Sequence, residues 1–278
     1  MAALTIIANE GSETQTSNGE RLAEGVRQCG DVAVMMPGHG QPKTKHVACW
    51  GWRRGKKLRQ RGHEVLVVER GYLGDRFKWL ALGWNGLNGK ADFRLPSKVD
   101  AEKFNRHFRQ FMKPWKSGGD YVLIMGQVPG DMSIEGVAMN QWYVSAASEM
   151  EARFGLPVYI RPHPAAVQRR IWTRIQGIPE LKGTLDEAFA RARCVVTYNS
   201  NSGTDAVMAG VPVIMQDRGG MAWPVSAQGL NADIITPDRG AWAERLSWCQ
   251  WNDDELSSGA AWHNVSRGKF DEALDAIG

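Results

Sequence analysis

Short apolar runs recur along the chain, and each ends at a turn rich in glycine, proline or small polar residues. The runs have the length of buried strands, and the segments between several of them have the apolar spacing of helices. The clearest runs are residues 4–8, 31–36, 63–69, 121–125, 156–160, 194–198 and 211–214. Strands of a parallel sheet that is covered on both faces are continuously apolar. The alternation therefore predicts an α/β fold with doubly wound parallel sheets.

The length of 278 residues indicates two domains, since about 150 residues per domain is usual. Lys116-Ser-Gly-Gly119 has the composition of a hinge, and a new apolar run begins at Tyr121. We therefore expect one Rossmann-like domain over residues 1–118 and another over residues 119–278.

The charges are nearly balanced, because 34 Lys and Arg residues face 30 Asp and Glu residues, for a formal net charge of +4. An argument for a nucleic-acid partner must therefore rest on where the charges lie. No apolar run approaches the ~20 residues that span a bilayer, and the first residues lack the basic start of an export signal. The four cysteines form no CxxC pair. We expect reduced thiols, no metal site, no membrane partner and a cytoplasmic location.

The most informative local pattern is the polar turn after residue 198, where a predicted strand leads into a helix. Six of the seven residues from Asn199 to Asp205 are polar, whereas an N-cap needs only one such side chain. A helix N-terminus provides N–H donors and a partial positive charge for a phosphate or diphosphate, and Asp205 can address a ribose hydroxyl. The residues expected at the phosphates are Ser200, Asn201, Ser202, Gly203 and Thr204. Simple helix capping is the alternative interpretation.

A second pattern is Arg161-Pro-His163-Pro164, at the carboxyl end of a predicted strand. Ligands of open α/β sheets bind at that edge. Arg161 and His163 can both meet an anion, and the prolines fix the backbone around the imidazole. A proline-stiffened structural loop is the alternative.

The third pattern is a basic segment predicted to be helical, residues 50–62, with six cationic and no acidic side chains between residues 50 and 61. Basic residues near Trp50 and Trp52 suit a polyphosphate backbone with stacked bases, although a solvated helix face is equally compatible. The residues expected to contact nucleic acid are Arg53, Arg54, Lys56, Lys57, Arg59 and Arg76.

Three side chains that follow predicted strands are candidates for a general base. Asp75 and Glu69 lie in or next to the loop after the strand 63–69, and His39 follows the strand 31–36. Each could take the proton of an acceptor hydroxyl. Ion pairing of Glu69 and Asp75 with Arg70 and Arg76 is the alternative.

The stretch Asn201-Ser-Gly-Thr-Asp-Ala-Val-Met-Ala-Gly-Val-Pro-Val-Ile214 resembles the donor-site signature of GT-B glycosyltransferases. Arg161-Pro-His-Pro164 with Ser200 and Ser202 also resembles the HP and S motifs of bacterial sialyl- and Kdo-transferases. These resemblances imply two Rossmann-like domains facing a cleft. The N-terminal domain would bind the acceptor and the C-terminal domain the nucleotide-sugar, with a terminal helix that can cross back.

The stretches at 69–77, 82–89 and 250–252 resemble glycosyltransferase-like proteins of tailed bacteriophages. That resemblance implies sugar transfer from a nucleotide-sugar, with a UDP-sugar favoured and no further cofactor. We expect no metal requirement, because a helix dipole and hydrogen-bond donors can stabilise the leaving diphosphate. The acceptor would be a hydroxymethylated pyrimidine in double-stranded phage DNA, inside the infected host's cytoplasm. Transfer to a capsular or surface saccharide is the first alternative. A non-catalytic nucleotide- or nucleic-acid-binding protein on this fold is the second.

Overall fold

The computed structural model describes residues 3–95 and 98–266. Its strands are β1 (Ala3–Ala8), β2 (Val32–Pro37), β3 (His46–Trp50), β4 (Glu64–Arg70), β5 (Leu80–Trp84), β6 (Tyr121–Met125), β7 (Val158–Arg161), β8 (Ala192–Thr197), β9 (Val213–Met215), β10 (Ala227–Gln228) and β11 (Gln250–Trp251). Its α-helices are α1 (Glu13–Gln28), α2 (Trp52–Gln60), α3 (Glu102–His107), α4 (Met139–Phe154), α5 (Pro164–Gln168), α6 (Leu185–Ala190), α7 (Ser202–Met208), α8 (Gly240–Ser247), α9 (Asp253–Ser257) and α10 (Ala260–Val265).

The chain forms two compact units. The first unit extends to Lys103 and resumes at Glu244, and the second comprises Phe104–Ala243. The boundary expected at residue 118 was placed too late. The backbone amides of Lys113 and Lys116 bind carbonyl groups at the end of α7, so this segment belongs with the second unit. Residues 267–278, the end of the expected terminal helix, lie outside the described residues.

The first unit is built on a six-stranded sheet with the order β11-β5-β4-β3-β1-β2. Strands β1 to β4 are parallel, whereas β5 pairs antiparallel with β4 and β11 pairs antiparallel with β5. One face of the sheet packs on α1, α9 and α10 through side chains such as Leu22, Leu256 and Trp262. The other face packs on α2 through Leu58. Because helices cover both faces, the unit is doubly wound.

Helices α1 and α9 approach each other closely, and the sequence permits this at Gly25. A Cβ at Gly25 would overlap the carbonyl oxygen of Leu256, so a side chain there would push α9 away. Gly259, which caps the start of α10, has a φ of +88°, a conformation that favours glycine. The returning chain therefore belongs to the core of the first unit.

The second unit is built on a five-stranded parallel sheet with the order β10-β9-β8-β6-β7. The face that carries Leu123 and Val195 packs against α6 and α7. The opposite face, with Ile124 and Val196, packs against α4. Buried Arg239 secures the end of α7, since its guanidinium donates to the carbonyls of Val207 and Lys113.

The predicted α/β fold class with doubly wound sheets is confirmed. Each unit has helices on both faces of its sheet, which is fully parallel in the second unit and parallel over β1 to β4 in the first. Strand β5 follows β4 in the chain and forms an antiparallel hairpin with it. None of the helices within residues 3–95 and 98–266 combines the length and apolar character needed to cross a bilayer.

Candidate functional site

The second sheet has a topological switch point between β6 and β8. The chain passes from β6 to β7 on one side and then crosses to β8 on the other side. Helices α4 and α7, which follow β6 and β8, lie on opposite faces of the sheet. The loops after β6 and β8 therefore diverge at the carboxyl edge, which is the place where open α/β sheets bind their ligands. The polar turn predicted to bind the donor is one of these loops.

Two buried amide side chains join the loops at the base of this switch point. The Gln127 side chain donates to Asn199 Oδ1 at 2.8 Å, and the backbone N–H of Asn199 donates to Gln127 Oε1 at 3.2 Å. Asn199 Nδ2 also donates to the Ser133 carbonyl at 2.7 Å and to Asp217 Oδ1 at 3.0 Å. Because Asn199 is committed to this network, it fixes the turn and leaves ligand binding to the residues that follow.

The first amides of α7 are less available than the sequence predicted. Gly203 N donates to the Ser200 carbonyl at 3.0 Å, and Thr204 N donates to the Asn201 carbonyl at 2.8 Å. Ser202 N donates to Ser200 Oγ at 3.3 Å. The expectation of open N–H groups was therefore wrong for these three amides, because the turn closes on itself. A ligand here would meet the half-buried hydroxyls of Ser200 and Ser202, whose oxygens lie 2.8 Å apart.

The remaining residues of the turn fall into two groups. Gly203 and Thr204 are buried, with Thr204 fully enclosed, so the prediction that they contact a ligand is corrected. A Cβ at Gly203 would come within 2.8 Å of the terminal methyl group of Met215, so this turn packs closely on β9. Asn201 and Asp205 are half-buried, and Asp205 occupies the first turn of α7. Their contact with a ligand stays a prediction.

Arg161 and His163 lie at the carboxyl end of β7, on the far side of β6 from the turn after β8. Two interstrand spacings separate the motifs, about 9–10 Å. His163 Nδ1 accepts from Ala165 N at 3.1 Å and caps α5, so the neutral ring carries its proton on Nε2. Arg161 donates to the Gly183 carbonyl at 3.2 Å, while its buried Nε has no hydrogen-bond partner. Burial lowers the pKa of Arg161 from its ordinary value.

The first unit contains a cleft of about 660 Å³ at the carboxyl edge of its own sheet. His39, from the loop after β2, lines the cleft, and so do three cations of α2, namely Arg53 and Arg54 from its first turn and Lys57 from its last turn. Trp50, Gly38 and the polar residues Asn9, Glu10 and Gln15 form the rest of the lining. Three of the six residues expected to contact nucleic acid therefore line the same cleft as the candidate base His39.

The other basic residues do not continue this surface. Arg59, near the end of α2, forms an ion pair with Glu64 at 2.5 Å. At least one of the six positive charges of the basic segment is therefore compensated, whereas the sequence of the segment itself contains no acidic partner. Arg76 is exposed and donates to the Gly71 carbonyl at 3.1 Å, and Lys56 is half-buried. The acidic partner was missed because it follows the helix, at the start of β4.

The two carboxylate candidates differ in position. Asp75 is exposed in a turn, where its Oδ1 accepts from Phe77 N at 3.1 Å and its Oδ2 lies 3.9 Å from Lys78 Nζ. It does not line the first-unit cleft. Glu69 is half-buried on β4. Burial raises the pKa of the Cys49 thiol to about 12, and Glu69 adds a smaller contribution in the same direction. His39 is thus the predicted base that lines the cleft, and Glu10, also in its lining, was missed.

Within the residues the structure describes, no group of three or more His, Cys, Asp or Glu side chains is arranged to hold a metal ion.

Two solved structures align with nearly the whole chain. One is the beta Kdo 2,4 transferase of KpsC from Thermosulfurimonas dismutans, with 15% identity over 94% of this chain and 98% of that chain, at a TM-score of 0.61. The other is the beta Kdo 2,7 transferase of KpsC from the same organism, with 13% identity over 96% and 100% of the two chains, at a TM-score of 0.57. At such low identities the likeness shows the fold. No family model and no curated protein matches the sequence.

Proposed function

We propose that this chain is a glycosyltransferase that uses a nucleotide-sugar donor. The second unit would hold the donor and the first unit the acceptor. Support comes from the switch-point site described above and from the fold shared with two proteins named as Kdo transferases. Fold alone does not determine function, so the proposal depends on the chemistry of the site.

The observation that carries the proposal is the set of donors along the carboxyl edge of the second sheet. The hydroxyls of Ser200 and Ser202 would bind the phosphates, and Arg161 would supply positive charge. His163 would donate from Nε2, since its Nδ1 already caps α5. Asp205 would accept from a ribose hydroxyl. This set spans two interstrand spacings, about 9–10 Å, which suits an elongated diphosphate-linked ligand better than a single phosphate.

In the proposed reaction an acceptor hydroxyl loses its proton to a base and attacks the anomeric carbon of the donor. The bond from that carbon to the phosphate oxygen breaks, and the nucleotide leaves with the electron pair. His39 is the base we favour, with Glu69 and Asp75 as the other candidates. Hydrogen-bond donors at the leaving phosphates can stabilise their charge, so we propose metal-independent transfer.

A hydroxymethylated pyrimidine in double-stranded DNA remains one proposed acceptor, and a capsular or surface saccharide remains the other. A DNA acceptor requires the base to leave the duplex, at a cost of a few kcal/mol. The first-unit cleft supports an acceptor that enters a pocket, and Arg59 contributes less to a DNA surface than the sequence suggested.

The test is product formation with UDP-, GDP- and CMP-sugars against hydroxymethylated DNA and saccharide acceptors, followed by mass analysis. We expect one donor to be consumed with sugar added to one acceptor class. His163→Asn retains a capping side chain but removes the imidazole, so it should lower donor use while the protein stays folded. Ser148→Ala, at an exposed position on α4, is the matched control for serine substitutions at the turn.

Failure of all donors to react or bind would remove the proposal. A DNA acceptor also predicts salt-sensitive binding. Six phosphate contacts correspond to a log–log slope of about −5.

A further inference from the structure

Helix α2 carries two of its positive charges at the end where they are least favourable, whereas Lys57 and Arg59 lie in its last turn. Its first turn contains Arg53 and Arg54 and no acidic residue, and Gly51 provides no side-chain cap. Helices favour negative charge at this end, because the unsatisfied amide groups already carry a partial positive charge. A local conflict of this kind often marks a functional site, and a bound anion would relieve it.

The charges also face a cavity. Arg53, Arg54 and Lys57 all line the cleft of about 660 Å³, a volume typical of small-molecule sites. The Arg54 guanidinium reaches towards the opposite wall, where its Nη1 lies 3.8 Å from the position of a Cβ at Gly38. Among described residues, neither Arg54 nor Lys57 forms an ion pair with a carboxylate. The cleft therefore holds at least two cations that protein carboxylates do not neutralise.

The rest of the lining suits hydroxyl groups and a ring. Asn9, Glu10 and Gln15 present amide and carboxylate groups, and the Asn9–Gln15 wall is held by a 3.2 Å hydrogen bond from Asn9 N to Gln15 Oε1. The indole of Trp50 forms another part of the lining. It is held by Arg70, whose guanidinium carbon lies 5.3 Å from the Trp50 ring and 4.7 Å from the Phe77 ring.

We infer that this cleft binds an acidic saccharide, with its phosphate or carboxylate group at Arg54 and Lys57 and its hydroxyls near Glu10 and His39. The inference rests on the proposed function, since it names the acceptor class of that reaction. A duplex would need an extended basic surface, whereas Arg59 is paired with Glu64 and Arg76 lies outside the cleft lining. A concave site with amide groups and an aromatic wall favours a small sugar acid over a DNA backbone.

The experiment is a calorimetric titration of the full chain, without donor, with glucose 6-phosphate, glucuronate and glucose as matched probes. We expect one acidic sugar to bind at least about ten-fold more tightly than glucose, since hydrogen bonds between charged groups are strong. Arg54→Gln and Lys57→Gln should each weaken that binding about ten-fold. Lys45→Gln removes an exposed charge just before β3 and should leave it unchanged.

Equal binding of glucose and the acidic sugars would overturn the inference, as would unchanged affinity in both cleft variants. Lys57 is exposed, so its variant tests the site even if Arg54→Gln fails to fold. Hydroxymethylated duplex DNA is titrated in parallel, and tighter binding that depends on Arg54 and Lys57 would replace the saccharide with DNA. Donor titration is a separate measurement. Loss of acidic-sugar binding with donor binding intact refutes only this inference, whereas absence of donor binding refutes the proposed function.

Discussion

Lys103 is a buried cation that holds the returning chain within the first unit. Its Nζ donates to the Gln250 carbonyl at 2.6 Å and lies 2.9 Å from Glu255 Oε1. The ring centroid of Trp251 lies 3.8 Å away. Replacing Lys103 with Met keeps the aliphatic length but removes the charge and both hydrogen bonds. We expect Lys103→Met to destabilise the protein at pH 7 by about 1.5–3 kcal/mol, the usual contribution of hydrogen bonds to charged groups.

The pH dependence of this effect has a definite sign. Burial lowers the pKa of Lys103 from 10.5 to about 8, although Glu255 opposes the shift. Above pH 8 the folded protein therefore releases a proton that the unfolded chain still holds up to about pH 10.5. Stability rises with pH wherever the unfolded state binds more protons. The free energy of unfolding of the wild type, relative to that of the variant, should rise by on the order of 1 kcal/mol between pH 7 and pH 9.

The assay is urea unfolding of both proteins at intervals from pH 7 to pH 9, with Lys98→Met as an exposed control. Subtracting the two free energies of unfolding isolates Lys103, because methionine does not titrate and all other groups are shared. A difference that stays flat, or a wild type that loses stability relative to the variant, would refute the burial argument. An effect of equal size in Lys98→Met would refute it as well.

Three further predictions concern packing and burial. Gly25→Ala should destabilise the protein by about 1–3 kcal/mol in thermal unfolding through overpacking against α9, whereas Gly11→Ala, where a Cβ meets only the Asn9 side chain at 3.6 Å, should have little effect. Arg239→Met should cost about 2–4 kcal/mol in the same assay, because it leaves two carbonyls without their donor and removes a cation 4.0 Å from the Trp115 ring. A thiol reagent at pH 8 should modify only Cys29 in the folded protein and all four cysteines in denaturant, since burial raises the pKa of the other three to about 12.

Strands β6 to β9 of the second sheet could be predicted because each coincides with a continuous apolar run bounded by turn residues. Strand β10, with only two residues and one of them Gln228, was missed. Strand β3 was missed, since it is short, starts at His46 after a polar stretch and ends at Trp50, which the basic helix was expected to contain. Helix α1 was missed because its first half is polar and rich in weak helix formers. A signal existed in Ser12, which caps the helix and accepts from Gln15 N at 3.4 Å.

In the candidate site, too, features set by neighbouring residues could be predicted, whereas contacts between distant parts of the chain could not. The hydroxyl pair Ser200 and Ser202 and the ring of His163 could be located from strand ends alone. The hydrogen bond between the side chains of Gln127 and Asn199 joins residues 72 positions apart, and no local sequence pattern indicates it. Asp75 was a candidate base because it follows a predicted strand, but its carboxylate accepts a hydrogen bond from Phe77 N within its own turn.

The central claim is that the turn after β8 binds the phosphates of a nucleotide-sugar. Its most direct test is calorimetric titration of UDP-, GDP- and CMP-sugars into the wild type and into the double variant Ser200→Ala/Ser202→Ala. We predict saturable binding of at least one donor to the wild type and to Ser148→Ala, and affinity at least about ten-fold lower for the double variant. Equal affinity in all three proteins would contradict the account, and so would the absence of binding by every donor.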